Sequence, residues 1–329
     1  MAQTPFDIIS EAATGVTLSG CLNAVTELRI ADALDDAPRS VEDLAAATST
    51  HAGALRRILR YVSSYGIFEA REGGYAHTPA SRLLRADHPE SLRGYVLMCS
   101  LPVSRNSCAA LTHSLRTGQP AIEKVSPGGF WKYLASHQEE ASVFNQGMTG
   151  KAKGQVAGIL ASYDFSHFGT IADIGGGHGH LLQAVLSAAP KAKGILFDQP
   201  GVIQETAGIA SDRLKLQSGD FFKDALPAAD AYLIMQVIHD WSDEEATKIL
   251  SGIRRAAAGH AKLLLIEVVI PDTPSPDWAK MVDVSMLAML RGRERTREEY
   301  RKLLAAAGFR LERLIDVGQS TAILEAGPV

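Results

Sequence analysis

The stretch IADIGGGHGHLLQAV, residues 171–185, gathers four glycines and two histidines between Gly175 and His180, directly after a short apolar run. Glycines at the place where a strand hands over to a helix are costly in conformational entropy. Such a turn is kept where a ligand or a neighbouring group must approach the backbone more closely than any side chain permits. The surrounding pattern agrees. From residue 171 onward, apolar runs (TIADI, AKGILFD, LKLQSGD, AYLIMQVI, KLLLIEVVI) alternate with helical stretches such as LLQAVLSAA and DEEATKILSGIRRAAA. That alternation predicts a doubly wound α/β domain of the Rossmann-like kind, with a parallel sheet covered on both faces. The last segment, RLERLIDVGQSTAILEA, reads as an antiparallel hairpin turning near Gly318.

At 329 residues there is room for a second domain before this one. Residues 16–34 carry Leu18, Leu22, Val25, Leu28 and Leu34 near helical spacing, predicting an amphipathic helix there. After Pro38 the chain reads as a short helix from Ser40, a second helix closed by Gly66, and a hairpin at Gly73-Gly74, the order of a winged helix-turn-helix. DNA binding is not expected of it. Residues 40–90 hold six Lys/Arg (56, 57, 60, 71, 82, 85) against six Asp/Glu (42, 43, 69, 72, 87, 90), a balance of zero where phosphate binding wants a basic surplus. The expected division is a helical domain over 1–100, a helical connector over 101–160, and the α/β domain over 161–329. A net charge of -4, three cysteines (Cys21, Cys99, Cys108) and no apolar run approaching 18 residues point to a cytoplasmic protein with no membrane partner.

The glycine loop fails two nucleotide fingerprints. A dinucleotide turn needs a third glycine where His180 stands, and a P-loop needs a Gly-Lys-Ser/Thr that is missing. What remains is Asp173-x-Gly175-x-Gly177-x-Gly179, with a carboxylate at the strand end that would repel phosphate and suit an ammonium group. Asp198 closes the next strand, where it can take ribose hydroxyls, and Asp220 ends the third, near a base edge. An ammonium, a ribose and an adenine together describe S-adenosylmethionine.

In the order DIGGGHG, FDQPGVI, GDFF, IHDWSDEE, LLLIEVVIPD and GRERTREEYRKLLAAAGF, the chain resembles the S-adenosylmethionine-dependent O-methyltransferases of the caffeic acid, acetylserotonin and bacterial polyketide-tailoring type. The resemblance covers nearly the whole chain, and it implies that the N-terminal domain serves homodimerisation. It implies donor contacts from Gln199, Phe221 and Gln236 besides those above, with S-adenosylhomocysteine as product. It further implies a general base at His239, flanked by Glu267 and Glu294. For the acceptor, an aromatic small molecule, it implies walls from Phe130, Trp131, Phe144, Asn145, Met148, Asp283, Met286 and Leu287. Asp240 is expected at the helix start or the donor site, and Trp241 packs around the donor.

The base has a chemical reason, since a phenol has a pKa of about 10 and must lose its proton to be methylated near neutral pH. No metal is expected: His178 with His180, and His239 with Asp240, supply no set of three or four ligands. Two departures from the family pattern bear on substrate identity: Arg291 precedes Gly292 where a glycine pair is usual, and Gln236 stands where a Lys is common. Transfer to nitrogen or carbon, a non-methyl-transfer reaction such as decarboxylation or hydroxylation, and a ligand-sensing regulator are the alternatives.

Overall fold

The computed structural model of the chain describes residues 4–318 and 320–329, excepting the side chains at 149 and 151–153. It divides into two compact units, Met1–Asn106 with Trp131–Gly154, and Ser107–Phe130 with Gln155–Val329. Residues 101–160 are thus shared between the units.

The first unit opens with a 23-residue helix, α1 (Pro5–Glu27). Its start is set by Thr4, whose hydroxyl accepts the Asp7 N–H while the Asp7 carboxylate accepts that of Thr4, with Pro5 at the first helical position. The helix expected over 16–34 therefore begins 11 residues earlier, at Pro5, and ends seven earlier, at Glu27. Past Glu27 the chain turns, with Arg29 at a φ of 56°. Ile30, Ala31 and Leu34 remain buried there, so the apolar spacing continues without the helix. α1 is also long and apolar enough to cross a membrane by length and composition, contrary to the expectation from its interrupted apolar runs. Along it Phe6, Ile9 and Val16 are 78%, 70% and 73% exposed.

α2 (Val41–Ala47) starts at the expected Ser40 cap, and α3 (Ala52–Ser64) packs Leu55, Leu59 and Val62 against Val25, Leu34, Leu44 and Phe68. β1 (Phe68–Arg71) and β2 (Gly74–His77) form the hairpin. Arg39 pairs with Tyr75 through both backbone groups at 2.9 Å, which fastens the hairpin to the chain before α2. That contact requires Gly74, since a Cβ there would lie 2.0 Å from the Arg39 carbonyl oxygen at a φ of +144°. A run of shorter helices from Arg93–Cys99 to Gly129–Ser136 leads to the long helix Gln138–Ser162, whose residues from Gln155 on belong to the second unit.

The second unit is the doubly wound sheet. Its strands are β3 (Thr170–Ile174), β4 (Lys193–Asp198), β5 (Leu214–Ser218), β6 (Ala231–Met235), β7 (Lys262–Ile270), β8 (Arg295–Thr296), β9 (Phe309–Gly318) and β10 (Thr321–Pro328). They run in the order β5-β4-β3-β6-β7-β10-β9, with β8 paired to the end of β7. The first five are parallel, and β10 and β9 add the antiparallel hairpin at the edge. Residues alternate between two apolar layers. Tyr232, Ile234, Leu263 and Leu265 meet the helices Asp243–Ala256 and Arg297–Ala306 on one face; Leu233, Leu264 and Ile266 meet the helix His180–Ala188 and the end of Gln138–Ser162 on the other. The strand order reverses between β3 and β6, so the carboxyl ends of those strands flank the crevice where such sheets bind ligands.

Gly74→Ala is expected to lower stability by about 2–4 kcal/mol, from the strained φ and the clash with Arg39 together. A denaturant titration followed by circular dichroism reads it as a lower midpoint.

Candidate active site

The glycine loop after β3 is built around a buried charge. Asp173 is 1% exposed, and among the described residues neither of its carboxylate oxygens has a hydrogen-bond partner. Burial, aided by the nearby Asp198 carboxylate, pushes its pKa up to about 7. Gly175, Gly177 and Gly179 have φ of +70°, +57° and +73°, the left-handed region that side chains avoid. Gly176 is glycine for another reason, because a Cβ there would sit 2.5 Å from the Asp173 carboxylate. The Gly177 N–H donates to Asp198 Oδ2 at 2.8 Å, and the Gln199 N–H donates to Oδ1 at 2.7 Å. Asp198 thereby ties the loop to the end of β4.

Beside it a cavity of about 430 Å³ is lined by Asp198, Gln199, Pro200, Gly219, Asp220, Phe221, Phe222 and Trp241. Phe221 and Phe222 meet Trp241 edge-on, at ring-centre distances of 6.0 and 4.8 Å. Asp220 is held below the usual carboxylate range, first by its bond from Lys223 and then by the Phe222 N–H. The cavity brings together four of the nine expected donor residues, Asp198, Gln199, Asp220 and Phe221, with Trp241, while Asp173, Gly175, Gly177, Gly179 and Gln236 do not line it. Gln236 is placed differently. It takes a φ of 51°, and its side-chain amide donates to Gln155, which in turn donates to Thr321.

The strand β6 ends in a 3₁₀ turn, Ile238–Asp240, that carries His239. The glycine loop reaches this turn, since a Cβ on Gly175 would lie 3.0 Å from Val237 Cγ2. His239 is 8% exposed, and its Nδ1 donates to Glu294 Oε1 at 2.8 Å. Glu267, fully buried in β7, stands 3.8 Å from the same nitrogen. Its Oε1 accepts the backbone N–H groups of Val237 and Ile238 at 3.1 and 2.8 Å, so it holds the turn as well as facing the ring. Asp240, expected at the helix start or the donor site, lies 3.6 Å from Nε2; the helix start belongs to Ser242 and its capping partner Glu245.

Burial works to lower the His239 pKa, but the carboxylates of Glu267, Glu294 and Asp240 outweigh it and raise it to about 9. Burial raises that of Glu267 to about 7. The ligand atoms of His239, Glu267 and Glu294 all lie within 4.8 Å of one another, a spacing that a small cation also accepts. With Nδ1 already engaged by Glu294 at 2.8 Å and Glu267 Oε1 by two backbone N–H groups, the geometry suits a shared proton.

Glu294 is carried by the segment before β8. Its N–H donates to Asp283 Oδ1 at 3.0 Å, from the helix Trp278–Met289. Gly292 is obligatory, as a Cβ would fall 1.8 Å from the His239 carbonyl oxygen. Arg291, in place of the usual first glycine, is exposed and pairs with Glu123 at 3.0 Å. On the same unit Met286 and Phe130 are buried, and the Leu287 carbonyl accepts the Ser114 hydroxyl at 3.4 Å. On the first unit Trp131 meets Phe144 edge-on at 6.0 Å, Met148 is half-buried, and Asn145 lines a groove with Arg93, Gln138, Ser142 and Gln146. Sequence reasoning passed over Phe222, Gln155 and Arg295. The first had a signal, an aromatic beside Phe221 at a strand end; the other two had none short of the packing.

Residues 109–310 match the O-methyltransferase domain family, and residues 10–87 match the O-methyltransferase dimerisation domain. The chain is 39% identical to a phenazine O-methyltransferase of Lysobacter antibioticus, over 98% of this chain and 96% of that protein. It is 35% identical to an 8-amino-8-demethylriboflavin N,N-dimethyltransferase of Streptomyces davaonensis, over 92% and 90%. Among solved structures it superposes on CalO1, a methyltransferase in calicheamicin biosynthesis in its S-adenosylhomocysteine-bound form, with a TM-score of 0.93, 30% identity and full coverage of both chains. The glycine loop, the buried histidine and these matches along its length lead to one conclusion: the chain belongs to the O-methyltransferase family and is a methyltransferase with its own dimerisation domain.

Proposed function

We propose that the protein transfers a methyl group from S-adenosylmethionine to a hydroxyl of an aromatic small molecule, with His239 as general base. The observation that carries this reading is the buried His239–Glu294 pair, set in a turn that the glycine loop touches. When bound, the donor supplies an electrophilic methyl group and leaves as S-adenosylhomocysteine.

The residues fit that donor. Asp173 is a buried carboxylate with unfilled hydrogen-bonding capacity behind a glycine cradle, suited to an ammonium group directly or through water. Asp198 has its carboxylate at the cavity rim for a diol, and Phe221, Phe222 and Trp241 offer aromatic edges and faces to a base. Glu294 holds Nδ1, which leaves Nε2 to take the acceptor proton, and Glu267 stabilises the imidazolium that results. Aligning acceptor oxygen and methyl carbon supplies the larger share of the rate, and the base about 10² to 10⁴-fold. Phe130, Trp131, Phe144, Asn145, Met148, Asp283, Met286 and Leu287 are proposed as acceptor contacts on the strength of the resemblance, and Phe130 and Met286 bring buried apolar side chains to that set. The proposed reaction needs no metal, because deprotonation is assigned to His239. A relative that methylates nitrogen keeps an amine acceptor as the second reading.

A homodimer is also proposed. The match to the dimerisation domain supports it, and so do Phe6, Ile9 and Val16, apolar residues of α1 left exposed on the single chain. A soluble, cytoplasmic enzyme with no nucleic-acid partner completes the reading.

Donor binding is tested by calorimetry with S-adenosylmethionine and S-adenosylhomocysteine. Micromolar-range binding is expected to collapse in Asp198→Ala; an intact, folded protein that binds neither would overturn the assignment. Asp173→Asn is a second test. The Asp173 carboxyl goes from 3.8 unfolded to about 7 folded, so its ionisation costs stability fully above pH 7 and nothing below the unfolded value. The variant is expected to gain about 1–3 kcal/mol at pH 8 and nothing at pH 3, while losing donor affinity.

His239→Ala is expected to lose about 10² to 10⁴-fold in turnover with phenolic acceptors while donor affinity is kept. Because its pKa is raised to about 9, the base form grows with pH, and wild-type turnover should climb between pH 7 and 9. Glu267→Gln removes a charge that favours the imidazolium and should move that rise to lower pH. Unimpaired turnover in His239→Ala would sink the base assignment, and loss of activity on chelation would sink metal independence.

A further inference from the structure

One buried charge in the active-site region has no part in the chemistry just described. Arg295 is 0% exposed, the largest fully buried side chain among the described residues, although its carboxylate partner Asp243 is 56% exposed. An ion pair with so exposed a partner gives weak reason to bury a guanidinium. The reason lies in its other bonds. Nη1 donates to the carbonyls of Ile238 at 3.2 Å and Arg293 at 3.4 Å, and Nη2 donates to the carbonyl of Trp241 at 3.0 Å. Nε and Nη2 also donate to Asp243 Oδ1 at 2.9 and 2.7 Å. The guanidinium carbon lies 5.9 Å from the centre of the Tyr300 ring.

Those acceptors are not scattered. Ile238 precedes His239, Trp241 follows it by two residues, and Arg293 precedes Glu294. One side chain therefore binds the backbone of both segments that deliver the His239–Glu294 pair. Its work is complementary to that of Glu267, which accepts the N–H groups of Val237 and Ile238. The turn is gripped by a carboxylate on its donor side and by a guanidinium on its acceptor side. Only a planar fork with donors on three nitrogens spans these positions; an ammonium at the end of a Lys does not.

We propose that Arg295 is a positioning residue for the base, holding the turn 238–241 and the segment before β8 in the register that keeps His239 against Glu294. The assignment rests on the reading of His239 as base, but its geometry and its test do not require turnover. The groups that face the His239 ring are Glu294, Glu267 and Asp240, and all three are intact in an Arg295 variant.

The experiment compares wild type with Arg295→Lys by steady-state kinetics, donor calorimetry and NMR titration of ¹³C-labelled histidine, the His239 signal being assigned from its loss in His239→Gln. The expected result is a fall of about 10 to 100-fold in kcat with donor affinity within about threefold. The His239 titration is expected to fall by about one unit as the contact with Glu294 loosens. A folded Arg295→Lys with unchanged kcat and an unchanged His239 titration would make Arg295 a stabiliser of the fold and nothing more. Should that variant not fold, Asp243→Ala removes two of the five bonds to the guanidinium, and must show the same two changes at smaller size or the proposal falls. If wild type methylates no phenol, the functional reading fails by itself, and the titration still decides the role of Arg295.

Discussion

The carboxylate of Glu267 is buried in the middle of the sheet, paired across from Ala322, and charge in such a place persists only if other groups are arranged around it. Its arrangement determines the site. One oxygen takes the N–H groups of Val237 and Ile238, which bends the chain after β6 into the turn bearing His239. The other oxygen has no hydrogen bond among the described residues, and the imidazole stands 3.8 Å from it, close enough to profit from its charge. Glu294 then fixes the ring, Asp283 fixes the Glu294 backbone, and Gly292 lets that segment lie against the His239 carbonyl. Each step depends on the one before it.

A second buried carboxylate, Asp173, follows the opposite logic. It has no hydrogen-bond partner among the described residues, and burial pushes its pKa up to about 7. Such a group weakens the fold while it is unpaired, and a cationic ligand bound at it would offset that cost. The two acids sit on strands of one sheet and differ in their bonds: one oxygen of Glu267 accepts two backbone N–H groups and shapes the turn, while neither oxygen of Asp173 has a hydrogen-bond partner among the described residues.

Much of this could be read from the residues. The strands of the second unit, the loop glycines, Asp198 and the hairpin near Gly318 follow from runs of apolar residues ended by turn chemistry, signals that are local. The family of the chain could be read too, because DIGGGHG, HDWSDEE and GRERT keep their order. The N-terminal helix was misplaced because Ile30, Ala31 and Leu34 prolong a helical spacing through a non-helical turn, while the true start, Thr4-Pro5-Phe6-Asp7, is a capping box without an apolar stripe beyond it. The side chain of Gln236, one of the expected donor residues, bonds to Gln155, 81 positions away in sequence, a pairing no local pattern reveals. Arg295 was hidden for a similar reason: in RGRERTREE it looks like one more solvated charge, and only the packing separates it from Arg291 and Arg293, which are exposed.

The interleaving of the two units has a consequence for how this architecture changes over time. The chain passes from one unit to the other after residues 106, 130 and 154, so neither is a bead on a string. Exchanging the N-terminal portion between relatives at a single junction would import a helical unit lacking its own 131–154 segment.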